Sequence, residues 1–259
     1  MTPQPAGPAA TVQRRSVQPE TLDALAADDP RAVRSRGDLR RIHAVMGTTG
    51  LLTRSLRSAM PQHRPLRLLE LGAGDGRQML AVAARLAPVW PAVELTLLDR
   101  QPAVGAPTLA AFARLGWTAR TRVADVFDWV GQPTAPSAGM SNDDRWDVII
   151  ATLFLHHFTD EPLACLLAAV AARCDVFLAC EPRRGRLPLL ASRCVGLLGA
   201  NAVTREDAVL SVRAGFRGAE LTGLWPNDTP AWRLDERAAG PFSHRFLAVR
   251  HSPIPGAAV

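Results

Sequence analysis

Lysine is absent from this chain of 259 residues, and all 30 of its basic residues are arginine. A P-loop needs the lysine of GK[ST] to neutralise phosphates, so the kinase and ATPase classes that depend on that motif are excluded. Total replacement of lysine, together with abundant alanine, proline and glycine, indicates a compositional bias of the source rather than selection for phosphate contacts.

Long apolar runs and paired cysteines are also missing. No apolar run approaches the ~20 residues that span a bilayer, and the first 15 residues lack the apolar core of a secretory signal. The spacing of the four cysteines (Cys165, Cys174, Cys180 and Cys194) includes no CxxC pair that would offer two thiolates to a metal or redox centre. We therefore expect a cytoplasmic protein with reduced cysteines and no membrane span.

The net charge of +6 comes almost entirely from the beginning of the chain. Residues 1–64 hold ten arginines and five acids, which accounts for +5 of the total, and the remainder is nearly neutral. A near-neutral remainder disfavours a nucleic-acid substrate, although the arginine-bearing arm could touch an acidic partner weakly.

Composition and periodicity predict four segments. Residues 1–20 are rich in Pro, Ala and Gln without apolar periodicity, which predicts a disordered arm that is dispensable. Apolar residues at helical spacing then predict an N-terminal helical cap over 21–64, with two short helices around a break at Gly47 and Gly50. A single domain should follow over 65–250, with a tail over 251–259.

Short apolar runs alternate with helical stretches through this domain. Strands are predicted at 66–71, 93–98, 120–124, 146–151 and 175–180, with helices at 77–86, 103–115 and 161–173 and a surface loop over 132–145. A helix capped by Thr204 and ended by Gly215 should precede two further strands, at 219–225 and 243–249, joined as an antiparallel hairpin. The pattern predicts an α/β, Rossmann-like fold with a mostly parallel seven-stranded sheet, helices on both faces and an antiparallel last strand.

A glycine loop follows the first predicted strand and opens a helix. It contains Glu70, Gly72, Gly74, Asp75 and Gly76. A dinucleotide-binding GxGxxG loop is disfavoured because its third glycine position is arginine. An ordinary tight turn would explain the glycines, and helix N-capping would explain Asp75, without any ligand.

The acid followed by GxGxG resembles motif I of the class I S-adenosylmethionine (SAM) dependent methyltransferases, and the resemblance extends over roughly residues 66–250. It implies SAM as the cofactor, with Glu70 or Asp75 facing its charged amino-acid tail. By the same resemblance, Asp99 at the end of the second strand binds the ribose hydroxyls. Asp125 after the third strand accepts from the adenine amino group, and the Val126 amide faces the ring. Each aspartate alone could merely start a turn.

The sequence LFLHHF follows the fourth strand, whose carboxyl end lies beside the transferred methyl group in this family. An imidazole titrates near neutral pH, so His157 and then His156 are the candidates for a general base, although one of them could instead shape the loop. Glu181, after the fifth strand, is a second candidate or simply a turn residue before Pro182. No metal ligand cluster is predicted, and the [DNS]PP[YFW] motif of base N-methylation is absent.

Four further blocks (DLRRIHAVMG, CEPRRG, VTREDAVLSVRAGF and FSHRFLAVR) look like small-molecule methyltransferases of quinone and polyketide pathways. This favours a phenolic or lipid-like acceptor and O- over C-methylation. Residues 182–203, the N-terminal helices and the loop 226–242, with Trp225, Trp232 and Phe242, should form the acceptor side. Arg183, Arg184 and Arg186 could hold an acid group or lie on a solvated surface. A SAM-binding regulatory or scaffold protein, or an RNA methyltransferase, stays open as an alternative.

Overall fold

The computed structural model of the protein describes residues 14–60, 67–131, 145–226 and 232–251. The helices are α1 (Thr21–Ala24), α2 (Pro30–Met46), α3 (Thr48–Ala59), α4 (Arg77–Leu86), α5 (Ala106–Arg114), α6 (Val126–Val130), α7 (Asp160–Arg173), α8 (Arg186–Arg193), α9 (Ala202–Ala214) and α10 (Glu220–Leu224). The strands are β1 (Arg67–Leu71), β2 (Glu94–Asp99), β3 (Thr118–Val123), β4 (Trp146–Thr152), β5 (Cys174–Pro182), β6 (Trp232–Ala239) and β7 (Ser243–Arg250). Two short 3₁₀ turns lie at Leu155–His157 and Val195–Leu198.

The seven strands form one sheet in the order β3-β2-β1-β4-β5-β7-β6. Strands β1 to β5 are parallel, while β7 runs antiparallel to β5 and pairs with β6. The chain order reverses beside β1, so the carboxyl ends of β1, β2 and β4 meet at the edge where open α/β sheets bind ligands. The predicted mostly parallel sheet with an antiparallel last strand is confirmed.

Alternate residues of the central strands enter two apolar cores, one on each face of the sheet. In β4, Ile149 and Ala151 pack into one core, whereas Val148 and Ile150 pack into the other. Because both faces are covered by helices, these strands read as continuous apolar runs rather than as an alternation of apolar and polar residues. None of the helices in the described part of the chain is long and apolar enough to span a membrane.

The predicted strand at 219–225 is wrong, because most of it forms the helix α10. Leu221 and Trp225, four residues apart, are both buried, which is the spacing of one helix face. The carboxylate of Glu236 accepts hydrogen bonds from the amides of Leu221 and Thr222, at 3.0 and 2.7 Å, and so satisfies the start of this helix. The hairpin partner of β7 is instead β6, inside the segment that the sequence predicts as a loop.

The N-terminal cap of α9 also differs from the prediction. Asn201 caps the helix by accepting from the Thr204 amide at 2.8 Å, and Thr204 lies inside the helix. Asp207, three residues after Thr204, does not bond back to the cap but accepts from the amides of Thr21 and Leu22 at 2.8 and 2.9 Å. The predicted end of the helix at Gly215 is correct.

The beginning of the described chain packs against the domain. We call residues 14–24 the N-terminal strap. The guanidinium of Arg15 lies 4.4 Å from the centre of the Phe216 ring and donates to the carbonyl of Phe158 at 2.6 Å. The arm predicted over 1–20 therefore extends too far, because Arg15, Ser16 and Glu20 contact the domain. Residues 1–13, residues 132–144 of the predicted surface loop and residues 252–259 of the predicted tail lie outside the described residues.

Candidate active site

A cavity opens at the carboxyl ends of the central strands, between the sheet edge and helices α1 and α2. Its lining includes seven of the eight predicted cofactor residues (Glu70, Gly72, Gly74, Asp75, Asp99, Asp125 and Val126) and both histidines of the LHH sequence. Residues of α1 and α2 close the opposite side, among them Leu22, Asp23, Leu39, Arg40 and His43. Residues that the sequence predicted separately therefore share one cavity.

The glycine loop turns tightly beneath this cavity. Gly72 has a φ of +68°, and a Cβ added there would lie 2.3 Å from the ring of Phe154, so only glycine fits. Gly76 does not line the cavity. Its φ is +72°, and an added Cβ would meet the side chain of Leu97 at 3.2 Å, so it serves the packing of α4 against β2 rather than ligand contact.

Asp99 joins the glycine loop to the turn after β2, with one carboxylate oxygen on each. One oxygen accepts from the Gly74 amide at 2.8 Å, and the other accepts from the Gln101 amide at 2.8 Å. Each oxygen can accept a second hydrogen bond, so the carboxylate can still receive a diol from the cavity.

Glu70 is a buried acid at the end of β1, 2% exposed. Its Oε2 atom has no hydrogen-bond partner among the described residues. Burial, and then the nearby charges of Asp99 and Asp75, raise the pKa of the Glu70 carboxyl well above its ordinary value. An isolated buried acid of this kind is the place where a cation can bind favourably.

The other two predicted aspartates have local partners as well. Asp75 accepts from the Arg77 amide at 3.1 Å and forms an ion pair with Arg40 of α2, also at 3.1 Å. Asp125 caps α6 by accepting from the Phe127 amide at 2.8 Å. Asp125 is thus the N-cap of its helix, whereas the N-cap of α4 is Gly76 and Asp75 accepts from the Arg77 amide. Both aspartates also line the cavity.

Glu181 fixes the loop that carries the two histidines. It is fully buried at the end of β5 and accepts from the amides of Phe154 and Leu155, each at 3.0 Å. It also lies 2.8 Å from the Nδ1 of His156. Glu181 is thus an anchor for the 3₁₀ turn after β4, not a simple turn residue before proline.

His156 lies between two carboxylates and is 2% exposed. Its Nδ1 faces Glu181, and its Nε2 lies 3.3 Å from the Oε1 of Glu20. Burial alone would lower the pKa of His156, but the two carboxylates raise it to about 9. This raised pKa favours a protonated imidazole, which disfavours His156 as the base.

His157 has a different environment, beside the cavity and partly exposed. Its Nδ1 lies 3.0 Å from the Oδ2 of Asp23 in α1. Burial would raise the pKa of Asp23, but the hydrogen bond and charge of His157, together with the charge of Arg100, lower it overall. An anionic Asp23 favours a proton on the Nδ1 of His157, which leaves Nε2 with a free lone pair.

Sequence reasoning missed Glu20 and Asp23, the two acids of the N-terminal strap. The strap is attached through the helix α9, where Asp207 accepts its amides and Ser211 donates to Glu20. No local motif marks either acid, because their partners lie in the LHH turn far along the chain. The Pro-Ala-rich composition just before them favoured disorder instead.

One group in this cavity has the side chains of a metal site. Glu20, His156 and His157 each offer a ligand atom, and these atoms lie within 4.8 Å of one another. A metal ion would have to displace the proton of His156, which both Glu181 and Glu20 stabilise. The described geometry thus favours a proton network at these residues.

The predicted acceptor side is partly wrong. Trp225 packs in the core, where it stacks on Phe177 and contacts Trp232 edge to face. Arg184 is buried and pairs with Glu220, so it is structural. Residues 182–203 and the described part of 226–242 do not line the cavity, whereas the predicted contribution of the N-terminal helices agrees with its lining.

No protein-family model matches the chain, and no curated protein matches its sequence. Solved structures do match. The plantazolicin methyltransferase BpumL, solved with S-adenosylhomocysteine (SAH), has a TM-score of 0.61 at 14% identity, over 86% of this chain and 92% of that one. An O-methyltransferase family protein from Burkholderia thailandensis has a TM-score of 0.58 at 12% identity, over 95% and 67% of the two chains.

The chain has the methyltransferase fold. The mitomycin 7-O-methyltransferase MmcR also matches, with a TM-score of 0.54 at 18% identity, over 89% of this chain and 60% of that one. The fold implied by the motif I resemblance is thereby confirmed.

Proposed function

We propose that the protein is an enzyme that transfers a methyl group from SAM to a small acceptor, phenolic or lipid-like, at oxygen rather than carbon. The observation that carries this proposal is the shared cavity, in which the glycine loop and its acids face His157 and Asp23. A cofactor-binding scaffold without catalysis would not need a histidine paired with an acid beside the cofactor loop.

The residues of the cavity fit SAM. Glu70, buried with an unpaired oxygen, suits the ammonium of the amino-acid tail. The spare acceptor capacity of Asp99 suits the ribose diol. Asp125 and the amide of Val126, at the start of α6, would receive the adenine. SAM, when bound, supplies an electrophilic methyl group.

The enzyme's own contribution is alignment and proton removal. The Nε2 of His157 would take the proton of the acceptor O–H, and bound SAM would supply the methyl group that the oxygen takes up, with SAH as the other product. Asp23 holds the Nδ1 proton of His157 and stabilises the imidazolium that results. His156, held between Glu181 and Glu20, positions the turn without taking part in proton transfer.

The acceptor should lie between His157 and helix α2. Leu22 and Leu39 give this side of the cavity an apolar lining. His43 also lines it, and burial lowers the pKa of His43 to about 4, so the ring is neutral and can hydrogen-bond an uncharged polar group. The methyltransferases BpumL and MmcR, which share the fold, support a small natural-product acceptor.

The four free cysteines support the cytoplasm as the location of the protein.

The proposal is tested by incubating the protein with labelled SAM and panels of phenols, alkylphenols, carboxylic acids and total RNA, each with and without a metal chelator. We expect label in a phenolic or lipid-like product, identified by accurate mass, with no effect of the chelator. Label in RNA, or SAM binding with no product from any panel, would contradict the proposal. Loss of product in the presence of the chelator would instead indicate that Glu20, His156 and His157 bind a metal ion that the reaction needs.

A further inference from the structure

The helix α8 and the 3₁₀ turn after it expose apolar side chains to solvent. On α8 the buried residues are Pro188 and Ser192, whereas Leu187 and Leu190 are 59% and 60% exposed. In the turn, Leu197 is 89% exposed and Leu198 is 39% exposed. We call these four residues the leucine face. The arrangement is the reverse of a normal surface helix, which buries its leucines.

The leucine face is distinct from the ordinary scatter of exposed apolar residues. Nine large hydrophobic side chains are exposed in the described part of the chain, and the only leucines among them are the four of this face. Of the other five, four valines and a phenylalanine, two lie twelve residues apart in α2 and the remaining three lie in separate segments. Single exposed apolar residues need no explanation, but a cluster of leucines marks an interaction surface.

The charge around the leucine face has one sign. From Pro182 to Arg205 the sequence contains five arginines and no acid. Arg186, at the start of α8, and Arg193, at its end, are exposed among the leucines. Arg184 is excluded from this surface because it is buried against Glu220. The surface therefore combines projecting apolar side chains with two exposed arginines, Arg186 and Arg193, that form no ion pair within the described residues.

We propose that the leucine face docks the protein reversibly on an anionic lipid bilayer. The leucines would enter the acyl boundary while Arg186 and Arg193 contact the phosphates, as in interfacial amphipathic helices. The helix α8 follows β5, whose end carries Glu181, so this face lies on the side of the sheet that holds the cavity. Docking stands independently of methyl transfer, although it would give the proposed lipid-like acceptor a short route from the membrane.

The test is sedimentation of the full chain with vesicles of phosphatidylglycerol and phosphatidylcholine, compared with phosphatidylcholine alone. We expect binding to the anionic vesicles that weakens as salt rises. The double variant Leu190→Ser/Leu197→Ser should bind at least about tenfold more weakly, because it removes buried apolar area. Arg186→Gln/Arg193→Gln should lose about 10- to 30-fold, the scale of two arginines near an anionic surface.

Matched controls are Val89→Ser, an exposed apolar residue after α4, and Arg114→Gln, an exposed arginine at the end of α5. Both should bind as the unmodified protein does. The proposal is overturned if anionic vesicles do not bind the protein, or if the leucine variant binds equally well. Self-association that the leucine variant abolishes, without vesicle binding, would assign the face to a second copy of the chain. SAM affinity, measured on the same variants, should not change, so failure here leaves the proposed function untouched.

Discussion

The Oδ2 of Asp23 lies 3.0 Å from the Nδ1 of His157, so a helix at the beginning of the chain contacts the turn that follows the fourth strand. The contact gives one histidine of the pair, which also lines the cavity, an orienting carboxylate at its Nδ1. The neighbouring His156 has a carboxylate at each nitrogen. The two adjacent imidazoles are thereby separated into a protonated structural group and a candidate base.

Replacing His157 by alanine should lower turnover by about 10²- to 10⁴-fold, the usual contribution of general-base assistance, while SAM affinity stays within a few-fold. Turnover of the purified variant and calorimetric titration with SAH measure the two quantities. His156→Ala should behave differently, lowering the free energy of unfolding because it leaves Glu181 and Glu20 without their shared cation. Near-wild-type turnover of His157→Ala on the true acceptor would remove it from the mechanism.

Asp23→Asn should lower turnover by roughly tenfold or more, because an amide neither fixes the Nδ1 proton nor stabilises the imidazolium. Asp28→Asn, an exposed acid a few residues on, is the matched control and should leave turnover unchanged. A purely structural role for Asp23 would lower the free energy of unfolding without lowering the turnover of the folded enzyme.

The cofactor side of this site could be predicted from sequence because each of its parts is local. A strand, a glycine loop and an acid at a strand end are each formed by contiguous residues, and the parallel sheet brings the strand ends together. Glu20 and Asp23 could not be predicted this way. Their role depends on the strap crossing the sheet edge to reach the LHH turn, and the residues around them carry no motif.

The same distinction explains the errors in the fold. The central strands are buried on both faces and give unambiguous apolar runs. The apolar pattern of the segment AELTGLW fits both a strand and a helix. The Glu236 carboxylate accepts from the amides of Leu221 and Thr222 and so stabilises the helix. Because β6 is an edge strand with charged residues, its sequence resembles a loop.

Asp99→Ala should weaken SAH binding by about 10- to 150-fold, the scale of a lost hydrogen bond to a charged group. The variant should also be less stable without ligand, because the amides of Gly74 and Gln101 lose their acceptor. Calorimetry and thermal unfolding of the free protein separate the two effects. Asp128→Ala, an exposed acid on α6, serves as the control. Unchanged affinity in Asp99→Ala would show that the ribose lies elsewhere.

Binding of SAM should release protons from Glu70. Burial, and then the charges of Asp99 and Asp75, raise the pKa of its carboxyl well above the ordinary value, whereas a bound ammonium would favour the carboxylate. Calorimetric titrations in two buffers with different ionisation enthalpies measure the release as a buffer-dependent heat. The Glu70→Gln variant should release correspondingly less. If both proteins show the same buffer dependence, Glu70 does not face the cationic tail.

The last prediction concerns Glu236, a buried acid of β6 that lies 2.8 Å from the Nε2 of His244 and accepts the first amides of α10. Burial would raise its pKa, but the hydrogen bonds of His244, Thr222 and Leu221 lower it below its ordinary value of 4.5. Its stabilising contribution is therefore complete above that value and is lost as the pH falls through the lower, folded-state pKa.

Glu236→Gln should accordingly lower the free energy of unfolding by about 1 to 3 kcal/mol at pH 7, because the charged acceptor is removed while the shape is kept. Urea unfolding between pH 7 and pH 3 measures the difference between the variant and the unmodified protein, which should shrink as the pH falls and the native carboxylate is protonated. Glu206→Gln, on the exposed side of α9, is the control and should differ little at any pH. A deficit in Glu236→Gln that stays constant across this range would mean that the charge of Glu236 does not stabilise the hairpin and helix that it joins.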